Sequence, residues 1–156
     1  MFLKWQFYRA MPQKEFHSKA SSFPQLDKEG NMIIARSSEA KGFLTPPPHP
    51  RELKVLISPS VQADVEDLAV GMTILPPGES SSFHAHEKEC ETWIIVSGQG
   101  EVRVGDERQP VEPETVIFLK PHIPHQITNT GRVPLRMFWV YTPPGGEKSI
   151  LEGSMK

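Results

Sequence analysis

At 156 residues the chain is long enough for one domain with a buried core and a short extension, and 16 prolines with 11 glycines exclude a helix bundle. Charge is nearly balanced, with 17 Lys+Arg against 19 Asp+Glu and a formal net of -2, so the basic face of a nucleic-acid binder is missing. The longest apolar runs, at 116–119 and 137–140, are far too short to span a bilayer, and no membrane anchoring is expected.

The N-terminus, "MFLKWQFYRAMPQKEF", has no apolar h-region and no small-residue cleavage site, so no signal peptide is expected. A single cysteine, Cys90, rules out an internal disulfide framework and fits a reducing compartment, which places the protein in the cytoplasm. Residues 1–50 are irregular in texture and form an N-terminal arm that packs on the main domain or on a partner subunit. Within the arm, "TPPPHP" at 45–50 is expected to run as extended polyproline II, with His49 solvated between prolines.

From residue 51 to 145 the texture changes to short β-branched and aromatic runs. These are "LKVLI" 53–57, "LAVGMTIL" 68–75, "TWIIV" 92–96, "GEVRVG" 100–105, "TVIFL" 115–119, "HQIT" 125–128 and "RMFWVY" 136–141. Turn signals such as "PPGE", "SGQG", "GDER", "KPHIP" and "NTGRVP" separate them. Strands of about five residues at about ten-residue spacing predict an all-β sandwich or barrel, and no helical periodicity of useful length follows residue 50. Residues 146–156 remain as a C-terminal tail.

One stretch of this domain is chemically distinctive. In "HAHEKECE", 84–91, His84 and His86 stand two apart in an extended segment and point to one face. Four residues then allow a reversal before Glu91 opens the next strand, so a hairpin is expected to place two imidazoles and a carboxylate on neighbouring strands. His125, heading "HQIT", is the fourth candidate. Three neutral imidazoles and a carboxylate suit one divalent transition metal, and Fe, Mn, Ni, Co and Zn all remain open. Four protein ligands in a roughly octahedral sphere leave two positions for water, substrate or O2.

Alternation from Glu91 turns Cys90 outward and Trp93 and Ile95 inward, and Ile127 follows His125 inward. Trp93, Ile127 and Trp139 are expected as pocket-wall residues. In "RMFWVY" the phase stays open: Met137, Trp139 and Tyr141 face one way, Arg136, Phe138 and Val140 the other. Arg103, Lys120 and Arg136 are the strand cations available to an anionic ligand. Glu87 and Glu89 fall in the turn, and His122 is a loop histidine near His125.

These residues resemble the first cupin motif: Gly78, five residues, His84-x-His86, four residues, Glu91, six residues, Gly98. The second motif is present in reduced form as "KPHIPHQITN", with His125 and Asn129 in place and His122 where a glycine is usual. The resemblance covers roughly residues 68–142. It implies a single-domain cupin β-barrel (a double-stranded β-helix or jelly roll), a metal near the barrel axis held by His84, His86, Glu91 and His125, and often a homodimer. Cupins include dioxygenases, decarboxylases, isomerases, lyases and non-catalytic binders, so the fold does not choose the reaction. Two functions are carried forward: a metal-dependent enzyme acting on a small carboxylate- or hydroxyl-bearing molecule, and a non-catalytic module that binds or senses a sugar or acid.

Overall fold

The computed structural model describes residues 25–26 and 31–153. The opening stretch 1–16, expected to hold no signal peptide, lies outside them. Strands are numbered in chain order. Six of them form one antiparallel sheet in the order β3 (Phe43–Leu44), β4 (Glu52–Ile57), β5 (Ala69–Leu75), β11 (Leu135–Thr142), β6 (Cys90–Ser97) and β9 (Val116–Leu119). Three more, β10 (His125–Asn129), β7 (Gly100–Val104) and β8 (Glu107–Val111), form a second sheet. A separate pair joins β1 (Gln25–Leu26) to β2 (Ile33–Ile34), and one short helix, α1 (Lys148–Leu151), follows the last strand. The regular structure among the described residues is almost entirely β, as the turn spacing predicts.

Period-two alternation decides what each strand buries. On β6, Glu91, Trp93 and Ile95 face the interior while Ile94 and Val96 face out. On β11 the open phase is resolved: Leu135, Met137, Trp139 and Tyr141 are buried, and Arg136 is exposed. Trp93 and Trp139 stand opposite each other in register, 1% and 2% exposed, at the centre of the core with Ile127 and Leu75. Burial of each such side chain stabilises the fold by roughly 2–3 kcal/mol. The register also sets Trp139 against Gly71, where a Cβ would run into the indole and the Lys54 carbonyl. A glycine inside a strand here makes room for a tryptophan.

The outer face of β4 and β5 is apolar too. A bulge between Val55 and Ile57 lets Leu56 turn outward, where it packs with Met72 and Ile74 under Ala35, Ala40 and Phe138. Ala35 and Ala40, in the described part of the arm, therefore lie on the chain's own barrel. At the other end of the chain, Glu147 is fully buried beside α1, its carboxylate accepting from Ser58 Oγ at 2.9 Å and from Gly145 N–H at 2.7 Å.

Three local expectations are corrected. Residues 45–50 do not run as polyproline II; Thr45 N–H donates to Arg51 O at 2.9 Å and Thr45 Oγ1 to His49 O at 2.6 Å, folding the prolines into a turn. His49 is half-buried, its Nδ1 3.3 Å from Ser80 Oγ. "GDER" is a tight turn only at Gly105 and Asp106, after which β8 begins at Glu107. Because β8 is an edge strand, it tolerates Pro110, which has no N–H for the ladder.

Candidate metal centre

The segment 78–86 crosses from the large sheet to the small one and hangs along β10. Gly78 N–H bonds to Asn129 O at 3.0 Å, Ser81 N–H to Ile127 O at 2.9 Å, and His84 and His125 exchange both backbone bonds at 3.1 and 2.8 Å. His84 and His86 thus belong to the small sheet's side of the barrel. Glu91 lies on β6 of the large sheet, paired with Tyr141 and Leu119. The expected hairpin of neighbouring strands is therefore replaced by two sheets facing each other, with ligand candidates on both. The reason is the backbone pairing of 84 with 125, a long-range choice that local spacing does not encode.

The geometry brings the four residues together. Their ligand atoms all lie within 4.8 Å of one another. Glu91 Oε2 is 3.2 Å from His86 Nε2 and 3.1 Å from His125 Nε2, and the imidazole centroids are 4.7 to 5.5 Å apart. His84 Nδ1–H donates to Ser82 O at 2.9 Å, and His125 Nδ1–H donates to Ile123 O at 2.8 Å. Each bond fixes the tautomer that leaves Nε2 a lone pair facing inward. His125 Nε2 is buried without a hydrogen-bond partner. A neutral imidazole lone pair facing a carboxylate oxygen is repulsive unless a positive charge, a proton in the metal-free protein or a bound ion, stands between them, and this donor set suits a divalent transition metal.

Charge and burial act together on the ionisable groups. Burial is the largest influence on Glu91 and pushes its pKa up, but the His125 and His86 rings, at 3.1 and 3.2 Å from its carboxylate, outweigh it and bring the pKa down to about 2. Burial lowers the pKa of His84, partly opposed by the Ser82 carbonyl, so the ring holds a second proton more weakly than an ordinary imidazole does. Tyr141 packs on His86 at 4.9 Å between centroids; burial first, then the Glu91 charge, raises its pKa well above that of an ordinary phenol.

The predicted wall residues are placed as follows. Trp93 stands edge-on to His125 at 5.3 Å, Trp139 lies against Tyr141 at 4.7 Å, and Ile127 is fully buried behind His125. Of the strand cations, Lys120 and Arg136 are exposed, and Arg103 is engaged with Gly105 O, Asp106 and the face of Phe83. Glu87 and His122 are exposed, while Glu89 and Cys90 are half-buried. Two residues near the centre were not foreseen: Tyr141, whose strand phase was open, and Arg51, which follows a proline-rich loop carrying no local signal.

An antiparallel β-barrel enclosing three imidazoles and one carboxylate defines a class of small barrel proteins with a candidate metal centre. The chain belongs to the cupin superfamily, and the cupin domain model matches residues 71–141. It is 31% identical over 124 residues to the oxalate-binding protein of Thermotoga maritima, a match covering 72% of this chain and 96% of that one. Glucose-6-phosphate isomerase of Pyrococcus horikoshii is 29% identical over 135 residues, 73% of this chain and 71% of that protein. Among solved structures, a predicted oxalate decarboxylase from Thermotoga maritima aligns with a TM-score of 0.64 and 26% identity, covering 71% of this chain and 99% of the other.

Proposed function

We propose that the protein is a metal-dependent cupin enzyme acting on a small carboxylate- or hydroxyl-bearing molecule. His84, His86, Glu91 and His125 would hold one divalent ion, with Fe, Mn, Ni, Co and Zn as candidates. The observation that carries this reading is the buried, partnerless His125 Nε2 facing Glu91 within a four-donor cluster. A bound divalent ion supplies Lewis acidity toward a substrate oxygen. The chain's own groups do the rest. Ser82 and Ile123 carbonyls hold two rings in the ligand tautomer, Trp93 excludes water from one side, and Tyr141 keeps its proton at neutral pH. Dioxygenase, isomerase, lyase and decarboxylase chemistry all fit such a site.

The alternative is a non-catalytic module that binds a sugar or acid. It is favoured by the similarity to an oxalate-binding protein. Elemental analysis of untagged protein beside His86→Ala tests the shared premise: about one ion per chain is expected in the wild type and little in the variant, with the β-sheet spectrum unchanged. Equal metal in both proteins would overturn the ligand assignment. Turnover of small diketones, hydroxy acids or sugar phosphates then separates enzyme from binder. A homodimer is supported by the exposed apolar side chains Val116, Phe118 and Val96 on the outer face of β9 and β6; a monomeric mass in solution would count against it. The cytoplasm remains the proposed compartment, on the strength of one free cysteine.

A further inference from the structure

Arg51, just before β4, is only 5% exposed. Its backbone N–H donates to Thr45 Oγ1 at 3.0 Å. Among the described residues its guanidinium makes one hydrogen bond, from Nη1 to His49 O at 3.0 Å, and has no carboxylate partner within salt-bridge distance. None of its nitrogens is both sealed from solvent and unbonded, so the spare donors still open onto reachable space. Buried arginines are ordinarily paired, because an uncompensated buried charge costs several kcal/mol. This one keeps most of its five donors unused.

The direction of its charge is informative. Burial weakens its hold on the proton, while Tyr141 and Glu91, in that order, act in the opposite sense. Geometry agrees: His49, whose carbonyl takes the Arg51 bond, has its ring nitrogen 3.3 Å from Ser80 Oγ, and alternation along the 78–86 segment puts Ser80 on the same face as His84 and His86. The cations foreseen from the sequence are occupied or exposed, which leaves Arg51 as the buried cation among the described residues.

We propose that Arg51 is the anion anchor of this site, and that its planar fork takes the carboxylate of a small acid whose second oxygen donor faces His84, His86, Glu91 and His125. A carboxylate fits better than a phosphate ester. A flat bidentate donor matches two coplanar oxygens, whereas a phosphate dianion calls for further cations or a cradle of backbone N–H groups. The proposal deepens the metal-site reading and rests on it for the second oxygen only.

The test uses the full chain as wild type, Arg51→Met and Arg51→Gln, with metal content measured on every sample. Oxalate, inorganic phosphate and the neutral comparator oxamide are titrated calorimetrically into manganese-loaded protein. Oxalate affinity is expected to fall at least tenfold in both variants at unchanged metal content, with oxamide unaffected. Arg51→Met, which removes a poorly paired buried charge, is expected to melt no lower than wild type without ligand. Unchanged oxalate affinity in the variants, or no oxalate binding by metal-loaded wild type, would overturn the anchor. Tighter binding of phosphate than oxalate, lost in the variants, would overturn the carboxylate assignment. If no protein takes up metal, the four-ligand reading fails separately. An oxalate-induced rise in melting temperature of the metal-free protein, absent in Arg51→Met, would then still support the anchor, and an equal rise in both would overturn it.

Discussion

Replacing Glu91 by glutamine keeps the shape of the side chain and removes its charge. Glu91 is 4% exposed and its pKa lies at about 2, against 4.5 for the free side chain. A depressed pKa means stability that is fully present above pH 4.5 and lost as pH falls through about 2. By that linkage the charged form contributes on the order of 3 kcal/mol at pH 6, falling to about 1.5 kcal/mol at pH 3. Urea unfolding of metal-free wild type and Glu91→Gln at both pH values measures the difference directly. The variant should be less stable by about 3 kcal/mol at pH 6, and the gap should roughly halve at pH 3. A gap that stays constant between the two pH values would mean that the His86 and His125 contacts do not stabilise the carboxylate, and would refute the electrostatic account of the site.

The core and the loops make further demands. Gly71→Ala should destabilise the barrel by about 1–3 kcal/mol, since the new methyl can be accommodated only by displacing both Trp139 and the Lys54 carbonyl; a melting temperature within a degree of wild type would contradict the packing. His122 adopts a left-handed conformation with φ of 65° while its N–H donates to His86 O at 2.7 Å. That conformation costs a non-glycine residue about 1–2 kcal/mol, and glycine's greater freedom when unfolded offsets part of the relief. His122→Gly should therefore raise stability by about 0.5 kcal/mol in denaturant titration without changing metal content.

How far the sequence reached can be argued residue by residue. Glu91, Trp93 and Ile95 were legible because β6 buries one face only, and alternation then fixes every side chain once one is placed. The same rule could not phase β11. Phe138 packs against the outer cluster of Leu56, Met72 and Ile74, so both faces of that strand look like core. β8 escaped notice because its residues are polar and mostly exposed. The pairing of His84 with His125, rather than a hairpin to Glu91, depends on residues 41 positions apart meeting as backbone partners. Arg51 could not be found locally, since what distinguishes it is the near-absence of partners in three dimensions.

The two ends of the barrel are closed by different means. At one end Asn129 is permanently satisfied: its amide donates to Leu75 O and Val133 O and accepts from Gly131 N–H. At the other end, the small sheet and the long sheet approach through His84, His86 and His125 on one side and Glu91 on the other. An ion gripped by all four would act as a rivet between the sheets, supplied from outside the polypeptide. Rigidity at that end then becomes a function of metal availability, while the Asn129 end keeps its shape regardless. Amide exchange should slow on metal addition around residues 80–91 and leave the Leu75 and Val133 neighbourhood unchanged.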